Sequence, residues 1–387
     1  MRVAQIGPAH PYRGGIAHYT VSLHRALQKR SHDSVVISFS RLYPSILFPG
    51  KSQFDESQKT LAIDHERIVD SLNPRSWRAA ARRILELHPD VAVFQYWHPF
   101  FAPSYRSIVS GLAGHHIPAV FICHNVDPHE LHFLARALRD TAFNKVRRFI
   151  VHSEKDRLAL QQIRPRAQII TARHPAYDFF EESPLSSESA RRHLGLPEDE
   201  NLILFFGYVR KYKGLQTLLR SLPQVLKHER VRLLVAGEFY EPREKYDRLI
   251  RDLGLQSCVT VHGWYVPNEK VSWYFKAADL AVLPYHSATQ SGIVPTAYFF
   301  DLPVVTTRVG GLPEVVLEGR TGLLVPPKDS HALADAIVRF FARGKQAEFR
   351  EEIRRFKAQF SWDCIVDAIE KLAGIPNRQR EMELEAQ

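Results

Sequence analysis

Four stretches of this chain place glycines, cations or a histidine where an apolar run stops, which is where backbone and side chains can hold an anion. IGPAHPYRGGIAHYT (residues 6–20) passes from a strand-like run into Gly14–Gly15, the start of a helical pattern. Glycines there let N–H groups approach a phosphate, and a helix N-terminus adds partial positive charge. The same pair also suits a plain tight turn. It is not GxGxxG, and the chain has no GxxxxGK[ST]. FFGYVRKYKGL (205–215) runs from a strand into Gly207, then places Arg210, Lys211 and Lys213 before Gly214. Arginine grips two phosphate oxygens at once and lysine supplies a compact charge, so the loop suits a diphosphate; a solvated basic loop is the plainer alternative. LPYHSATQSGIVPTAYFFDLPVVTTRVGGLPEVV (283–316) contains Ser291–Gly292 before one helix and Gly310–Gly311 before Pro313–Glu314. Pro313 fits a first helical turn, and Glu314 is expected to cap its own helix. In VFICHNVDPHE (120–130), His124 directly follows a buried strand, as a site residue or as a capping or packing histidine. His124, His129 and His132 match neither HExxH nor a zinc-finger spacing, so no metal site is expected.

These stretches need a scaffold that gathers strand ends. Apolar runs such as VAVF, AVFI and FIV suit strands buried on both faces, as in parallel sheets covered by helices. Strands are expected at Arg2–Ile6, Ser34–Phe39, Asp90–Gln95, Pro118–Ile122, Arg148–Val151 and Gln168–Thr171, alternating with helices near 15–30, 75–87, 103–113, 128–140 and 153–163. Residues 174–200 are rich in Pro, Ser and acids, with a linker near 176–186. Alternation resumes with strands at Leu202–Phe206, Arg232–Ala236, Val259–His262, Leu280–Leu283, Pro303–Thr306 and Leu323–Val325. Helical patterns fall near 214–227, 241–253, 267–277, 292–300 and 329–343, then 345–358 and 361–373. Residues 41–66 read as an irregular excursion and the last twelve residues as a frayed polar tail. The expectation is α/β: two Rossmann-like, doubly wound domains facing each other across a cleft. The first covers 1–182 and the second 183–360, with a helix at about 361–374 returning to the first. Ligands of open α/β sheets bind outside the carboxyl ends of the strands.

Composition sets the bounds. The chain has 387 residues, enough for two domains, and 45% hydrophobic and 24% charged residues exclude wholesale disorder. Cys123, Cys258 and Cys364 are scattered, which argues against a disulfide framework. No apolar run reaches bilayer length and MRVAQIGPAH reads as a strand rather than a leader, so a cytoplasmic location is expected. The formal net charge is +10. Residues 1–183 hold 24 Lys/Arg and 16 Asp/Glu, against 28 and 26 in the remainder, so the excess is in the first half. Nucleic acid, an anionic membrane surface or an anionic substrate would each fit it. No nucleic-acid-binding motif is present, so nucleic acid is not expected as a partner. The clusters Arg75, Arg78, Arg82, Arg83 and Arg136, Arg139, Lys145, Arg147, Arg148 read as solvated helix faces or as docking points for anionic headgroups, peripheral to a membrane.

In order, the motifs resemble the retaining glycosyltransferases of family 4, which have the GT-B fold, over nearly the whole chain. Lys213–Gly214 match the family's Lys–Gly pair, while Arg210 stands two places after the usual arginine, where this chain has Tyr208. PVVTTRVGGLPEVVLEGRTGLLVPP (303–327) is close to the family pattern, and Ser361–Trp362 with the following helix resembles its C-terminal crossing segment. The family's two glutamates, eight positions apart, would fall at Ala288 and Thr296, and neither is acidic. The resemblance implies hexose transfer from a nucleotide-diphosphate sugar, UDP-sugar or GDP-mannose, to a glycan, lipid-linked or small-molecule hydroxyl acceptor. Retention of configuration follows, with no cofactor or metal beyond the sugar donor. It makes His124, Arg210 and Lys213 the catalytic residues. Gly14, Gly15, Gly207, Tyr265, Ser291, Gly292, Ile293 and Thr296 become the donor-binding residues, with Trp264 and Tyr265 near the base and Thr296 left to meet the ribose. A non-catalytic sugar-nucleotide-binding subunit and a nucleotide-sugar epimerase are the competing readings. The epimerase would need paired carboxylates facing the sugar.

Overall fold

The computed structural model describes residues 1–44, 46, 48, 50–57, 61–126, 133–180, 185–342, 344 and 346–375. Two parallel sheets carry the chain. The first comprises β1 (Arg2–Ile6), β2 (Asp33–Arg41), β3 (His65–Asp70), β4 (Val91–Tyr96), β5 (Ala119–Cys123), β6 (Arg148–Val151) and β7 (Gln168–Thr171), in the order β3-β2-β1-β4-β5-β6-β7. The second comprises β8 (Asn201–Phe206), β9 (Val231–Ala236), β10 (Val259–His262), β11 (Leu280–Leu283), β12 (Val304–Thr307) and β13 (Gly322–Val325), in the order β10-β9-β8-β11-β12-β13. The order reverses between β1 and β4 and between β8 and β11, so each sheet has a switch point at its centre.

Burial follows position. All six residues of β4 are buried, as the apolar run requires. The edge strand β3, HERIVD, buries only Val69. It overlaps the expected irregular stretch 41–66 at His65 and Glu66 and is not among the expected strands: an edge strand this polar has no hydrophobic alternation to announce it. The helix expected over 267–277 is shorter, Val271–Ala277, preceded by a single 3-10 turn, Asn268–Lys270. The helix expected over 128–140 runs Phe133–Phe143; its expected start, with His129 and His132, lies outside the described residues, as do the polar tail and part of the linker.

One apolar cluster crosses from half to half. It joins Val3, Tyr19 and Val91 to Leu204, Tyr274 and Tyr298 through Ile365, Ile369 and Leu372 of the last helix, Asp363–Ala373. That helix packs against the first helix, Gly15–Lys29. Trp362 anchors its start: Nε1 donates to the Ala176 carbonyl at 2.8 Å and the ring meets Tyr19 edge-on at 4.8 Å. At its far end Arg30 donates to both Glu370 oxygens at 3.0 Å, and His32 Nε2 lies 2.7 Å from Oε1. Trp362→Ala removes a large aromatic contact and a buried hydrogen bond at this crossing. It should lower stability by about 2–3 kcal/mol, read from urea unfolding monitored by circular dichroism.

Candidate active site

The carboxyl ends of both sheets line one cavity of about 1200 Å³. Gly14, Gly15 and His124 form part of its wall from the first half. Gly207, Arg210, Lys213, Tyr265, Ser291, Gly292, Ile293 and Thr296 line it from the second. Residues up to 282 positions apart in sequence therefore meet at a single place.

The basic loop is built tightly. Gly207 N–H donates to the Ala236 carbonyl at 2.9 Å, which ties β8 to β9. Lys211–Lys213 form a 3-10 turn that ends on Gly214, whose φ of 73° lies in the left-handed region. A Cβ at Gly214 would fall 1.9 Å from the Pro284 carbonyl oxygen, so only glycine fits. This turn carries Lys213 back over the strand end, where its Nζ lies 5.2 Å above the Tyr285 ring. Burial lowers the Lys213 pKa; Tyr212 acts to raise it and Arg210 to lower it further. The Arg210 guanidinium lies 4.6 Å over the Tyr240 ring. Neither cation has a carboxylate partner among the described residues. The two carboxylates that line the cavity among the described residues are already engaged. Glu238 pairs with Arg13 and accepts from Lys51 N at 2.8 Å, while Glu241 lies 3.3 Å from Lys245 Nζ and accepts from the Tyr246 hydroxyl. The cavity thus offers unneutralised cations, and no pair of free carboxylates among the described residues.

Several contacts span the two halves. Arg13, one residue before the glycine pair, reaches Glu238 and stacks 4.6 Å over Tyr265; both members of the ion pair are less than 10% exposed. Tyr208, where the resemblance expects arginine, packs between Tyr240 and Tyr265 instead. Thr289 Oγ1 donates to Asn125 Oδ1 at 2.6 Å, and Gln290 Nε2 to the His124 carbonyl at 3.5 Å. Asn268 Nδ2 donates to Asp55 at 2.9 Å. Glu314 does not cap its own helix: its carboxylate accepts from Glu154 N at 2.7 Å and Lys155 N at 3.2 Å, at the start of the helix Glu154–Ile163 in the other half. Its own helix spans only Leu312–Val315, whereas the longer helix offers orphan N–H groups and a larger dipole. No sequence pattern announced Arg13, Glu238, Thr289 or Asn125, because their partners are distant in the chain.

Thr296 also departs from its expected role. Its Oγ1 donates to the Gly292 carbonyl at 2.7 Å inside the helix Ile293–Phe299, so the hydroxyl proton is not available to a ribose. Ser291 Oγ accepts from Ile293 N at 3.2 Å. Tyr265 lines the cavity and is half-buried, while Trp264 stacks on His262 with half its surface exposed, which leaves Tyr265 alone of the pair on the wall. Among the described residues no group of three or more His, Cys, Asp or Glu is arranged to hold a metal.

His124 is 4% exposed and belongs to a buried histidine group. Its ring centroid lies 4.6 Å from Tyr19 and 5.4 Å from His152, which is 5.2 Å from His174. His152 Nδ1 donates to the Ala172 carbonyl and His174 Nδ1 to the Pro175 carbonyl, each at 2.8 Å. Burial holds all of them neutral. It pushes His152 down to about 3 and His18 and His174 down to about 4, and takes His124 well below the ordinary value, with the neighbouring imidazoles adding repulsion at His124 and His152.

The comparisons agree with this architecture. Residues 13–178 match the family model described as Glycosyltransferase Family 4, and residues 200–343 match Glycosyl transferases group 1. The D-inositol 3-phosphate glycosyltransferase of Mycolicibacterium smegmatis is 32% identical over 234 residues, 57% of this chain and 51% of that protein. That of Corynebacterium jeikeium is 32% identical over 198 residues, 49% and 47%. The match thus spans about half the length of these curated relatives. Among solved structures, sucrose-phosphate synthase from Thermosynechococcus elongatus superposes with a TM-score of 0.72 at 20% identity, covering 100% of both chains. Anabaena HepE in complex with UDP-glucose gives 0.73 at 18%, covering 97% of this chain and 100% of that one. The fold is of the GT-B type. The chain belongs to the group 1 and family 4 glycosyltransferases, one half homologous to each model.

The histidine group fixes a pH dependence. Folded-state pKa values lie below the unfolded value, so the unfolded chain binds more protons between about pH 6.5 and the folded values near 3–4. Stability is complete above pH 6.5 and falls as pH drops through that window. Each buried ring should contribute up to about 1.4 kcal/mol per pH unit. Urea midpoints measured from pH 7 to pH 5 should fall, and His152→Phe should flatten the slope.

Proposed function

We propose that the protein is a retaining hexosyltransferase that moves a hexose from a nucleotide-diphosphate sugar, a UDP-sugar or GDP-mannose, to a hydroxyl of a glycan, lipid-linked or small-molecule acceptor. One observation carries the reading. Arg210 and Lys213 stand without carboxylate partners among the described residues, on the wall of a cavity whose opposite wall is the Gly14–Gly15 helix start. A diphosphate supplies the missing charge. The solution of HepE with UDP-glucose lends support to such a donor, and the curated relatives' name to a hydroxylated acceptor. In this reading residues 1–182 hold the acceptor and 183–360 the donor, with the last helix locking the two.

The chemistry then follows from placement. As the bond from the anomeric carbon to the diphosphate breaks, negative charge builds on the β-phosphate. Arg210, Lys213 and the N–H groups around Ser291, Gly292 and Ile293 stabilise it in a water-poor cavity, and Gly14, Gly15 and Gly207 let the backbone approach. The sugar becomes oxocarbenium-like and His124 orients it. The acceptor oxygen bonds to the anomeric carbon from the face the diphosphate leaves, and its proton passes to a phosphate oxygen, without a metal. Tyr265 flanks the base, and the ribose meets Thr296 only through that oxygen's lone pairs. Lys213→Ala and Arg210→Ala should each lower kcat by about 100- to 1000-fold with an unchanged circular dichroism spectrum. Full transfer by the folded double variant would remove the diphosphate site from this cavity.

A membrane surface is the second partner we propose. Phe133 and Leu134 are 88% and 68% exposed beside exposed Arg136, and Ala135 between them lines the cavity. Two of the expected surface cations are otherwise engaged: Arg139 is buried against Asp140, and Arg83 pairs with Glu66 and Glu86. No described helix is long and apolar enough to cross a bilayer. An apolar tip with flanking cations suits peripheral docking, at about 1 kcal/mol per cation near anionic lipid. Flotation with vesicles containing phosphatidylglycerol should weaken at high salt and vanish in the double variant Phe133→Asp, Leu134→Asp. Flotation indifferent to anionic lipid would count against the docking face.

A further inference from the structure

Gln95 is a fully buried polar side chain at the cleft end of β4, directly behind His124. His124 Nε2 lies 2.8 Å from Gln95 Oε1. An amide oxygen only accepts, so Nε2 carries the ring proton and Nδ1 keeps its lone pair. The surrounding chain is shaped to admit the carboxamide. A Cβ at Gly7 would fall 2.7 Å from Gln95 Cγ, and the Tyr105 hydroxyl donates to the Gln95 main-chain carbonyl at 2.9 Å. The arrangement leaves Gln95 Nε2 buried without a partner, which costs stability that a leucine or methionine of similar size would spare. A buried, half-satisfied amide retained against the cleft histidine points to what it does for that ring.

The ring's other contacts leave its charge to this bond. Tyr19, His152 and His174 surround it, and His152 and His174 give their own protons to backbone carbonyls. From the second half Gln290 meets only the His124 carbonyl. Asp156 and Arg139 each act on the neighbouring Cys123, in opposite directions. A carboxylate in place of Gln95 would draw a second proton onto the imidazole, whereas the amide orients it and adds no charge.

We propose that Gln95 is a positioning residue of the transfer reaction: it fixes His124 as the Nε2–H tautomer, so that Nδ1 accepts a hydrogen bond from a hydroxyl of the transferred sugar. The inference rests on the donor reading above. It makes the site selective for sugars that present a hydroxyl donor at that point.

The test combines imidazole resonances with kinetics. Long-range proton–nitrogen correlation on the full chain labelled with nitrogen-15 histidine, assigned with His124→Asn, should show His124 neutral and protonated on Nε2 from about pH 5.5 to 8. Gln95→Glu should bring protonation of His124 into about the pH 6–8 range and give kcat a new acidic limb there. Gln95→Met should abolish the fixed tautomer and lower kcat at least about tenfold while the donor KM changes little. A wild-type ring protonated on Nδ1 overturns the proposal. So do Glu and Met variants with wild-type kcat and pH profile. UDP and GDP titrations of the same samples separate the two readings. A wild-type chain that binds neither overturns the donor assignment and the sugar contact with it, and the resonances then decide the tautomer independently.

Discussion

A cation set inside a protein wall without an anion is the condition around which this molecule is arranged. Burial lowers the Lys213 pKa and repulsion from Arg210 adds to it, and no described carboxylate relieves the two cations. Two aromatic faces do so in part: the Tyr285 ring beneath Lys213 and the Tyr240 ring beneath Arg210 present their negative quadrupoles to the charges. A ring face attracts a cation without neutralising it. The wall therefore keeps its net positive charge, which a carboxylate at the same place would have cancelled. Gly214 makes the geometry attainable, since any other residue would collide with the Pro284 carbonyl and carry Lys213 away from the strand end.

Holding that wall opposite the glycine loop requires contacts between the halves, and these share a physical character. Arg13 with Glu238 is a buried ion pair, Thr289 with Asn125 a hydroxyl–amide bond, and Glu314 a carboxylate on a foreign helix N-terminus. Polar contacts of this kind add little net stability compared with apolar packing, but breaking one partner is expensive and their geometry is strict. They register one domain arrangement rather than glue it. The adhesive part is the apolar cluster through the last helix, whose members Tyr177, Tyr285 and Ala288 also reach the cavity wall.

The sheets were legible because strands buried on both faces have a distinctive composition: VAVFQY and AVFIC leave little room for another reading. That the glycines and cations would share one cavity was legible because both stand at the carboxyl ends of strands. What escaped has physical reasons. The edge strand β3 is solvated and so carries no apolar pattern. Arg139 looked like a surface cation, yet its guanidinium turns inward to Asp140 and the Val126 carbonyl, and sequence spacing does not tell which way a long side chain turns. Glu314 sat beside an obvious helix start, and the preference for a longer helix elsewhere depends on tertiary distance. Gln95 read as one polar letter at the end of an apolar run.

The neutral loop 288–296 ties these observations together. A carboxylate at Thr296 or Ala288, as the family pattern has it, would stand on the same cavity wall as Arg210 and Lys213 and offset part of their charge. This chain has a short apolar side chain and an internally bonded hydroxyl there, and it spends its intervening polar residues, Thr289 and Gln290, on the opposite domain. The loop has thus exchanged a grip on the ligand's sugar–base half for a grip on the facing domain. With no acid on the loop, the attraction left for an anion at Arg210 and Lys213 is larger, and affinity shifts from hydrogen bonds at the ribose toward charge at the phosphates. Under the donor reading proposed above, such a site would recognise a diphosphate first and its nucleoside second. The imbalance at Arg210 and Lys213 is local: it lies in the half whose 28 Lys/Arg and 26 Asp/Glu nearly cancel, and is separate from the excess of the first half.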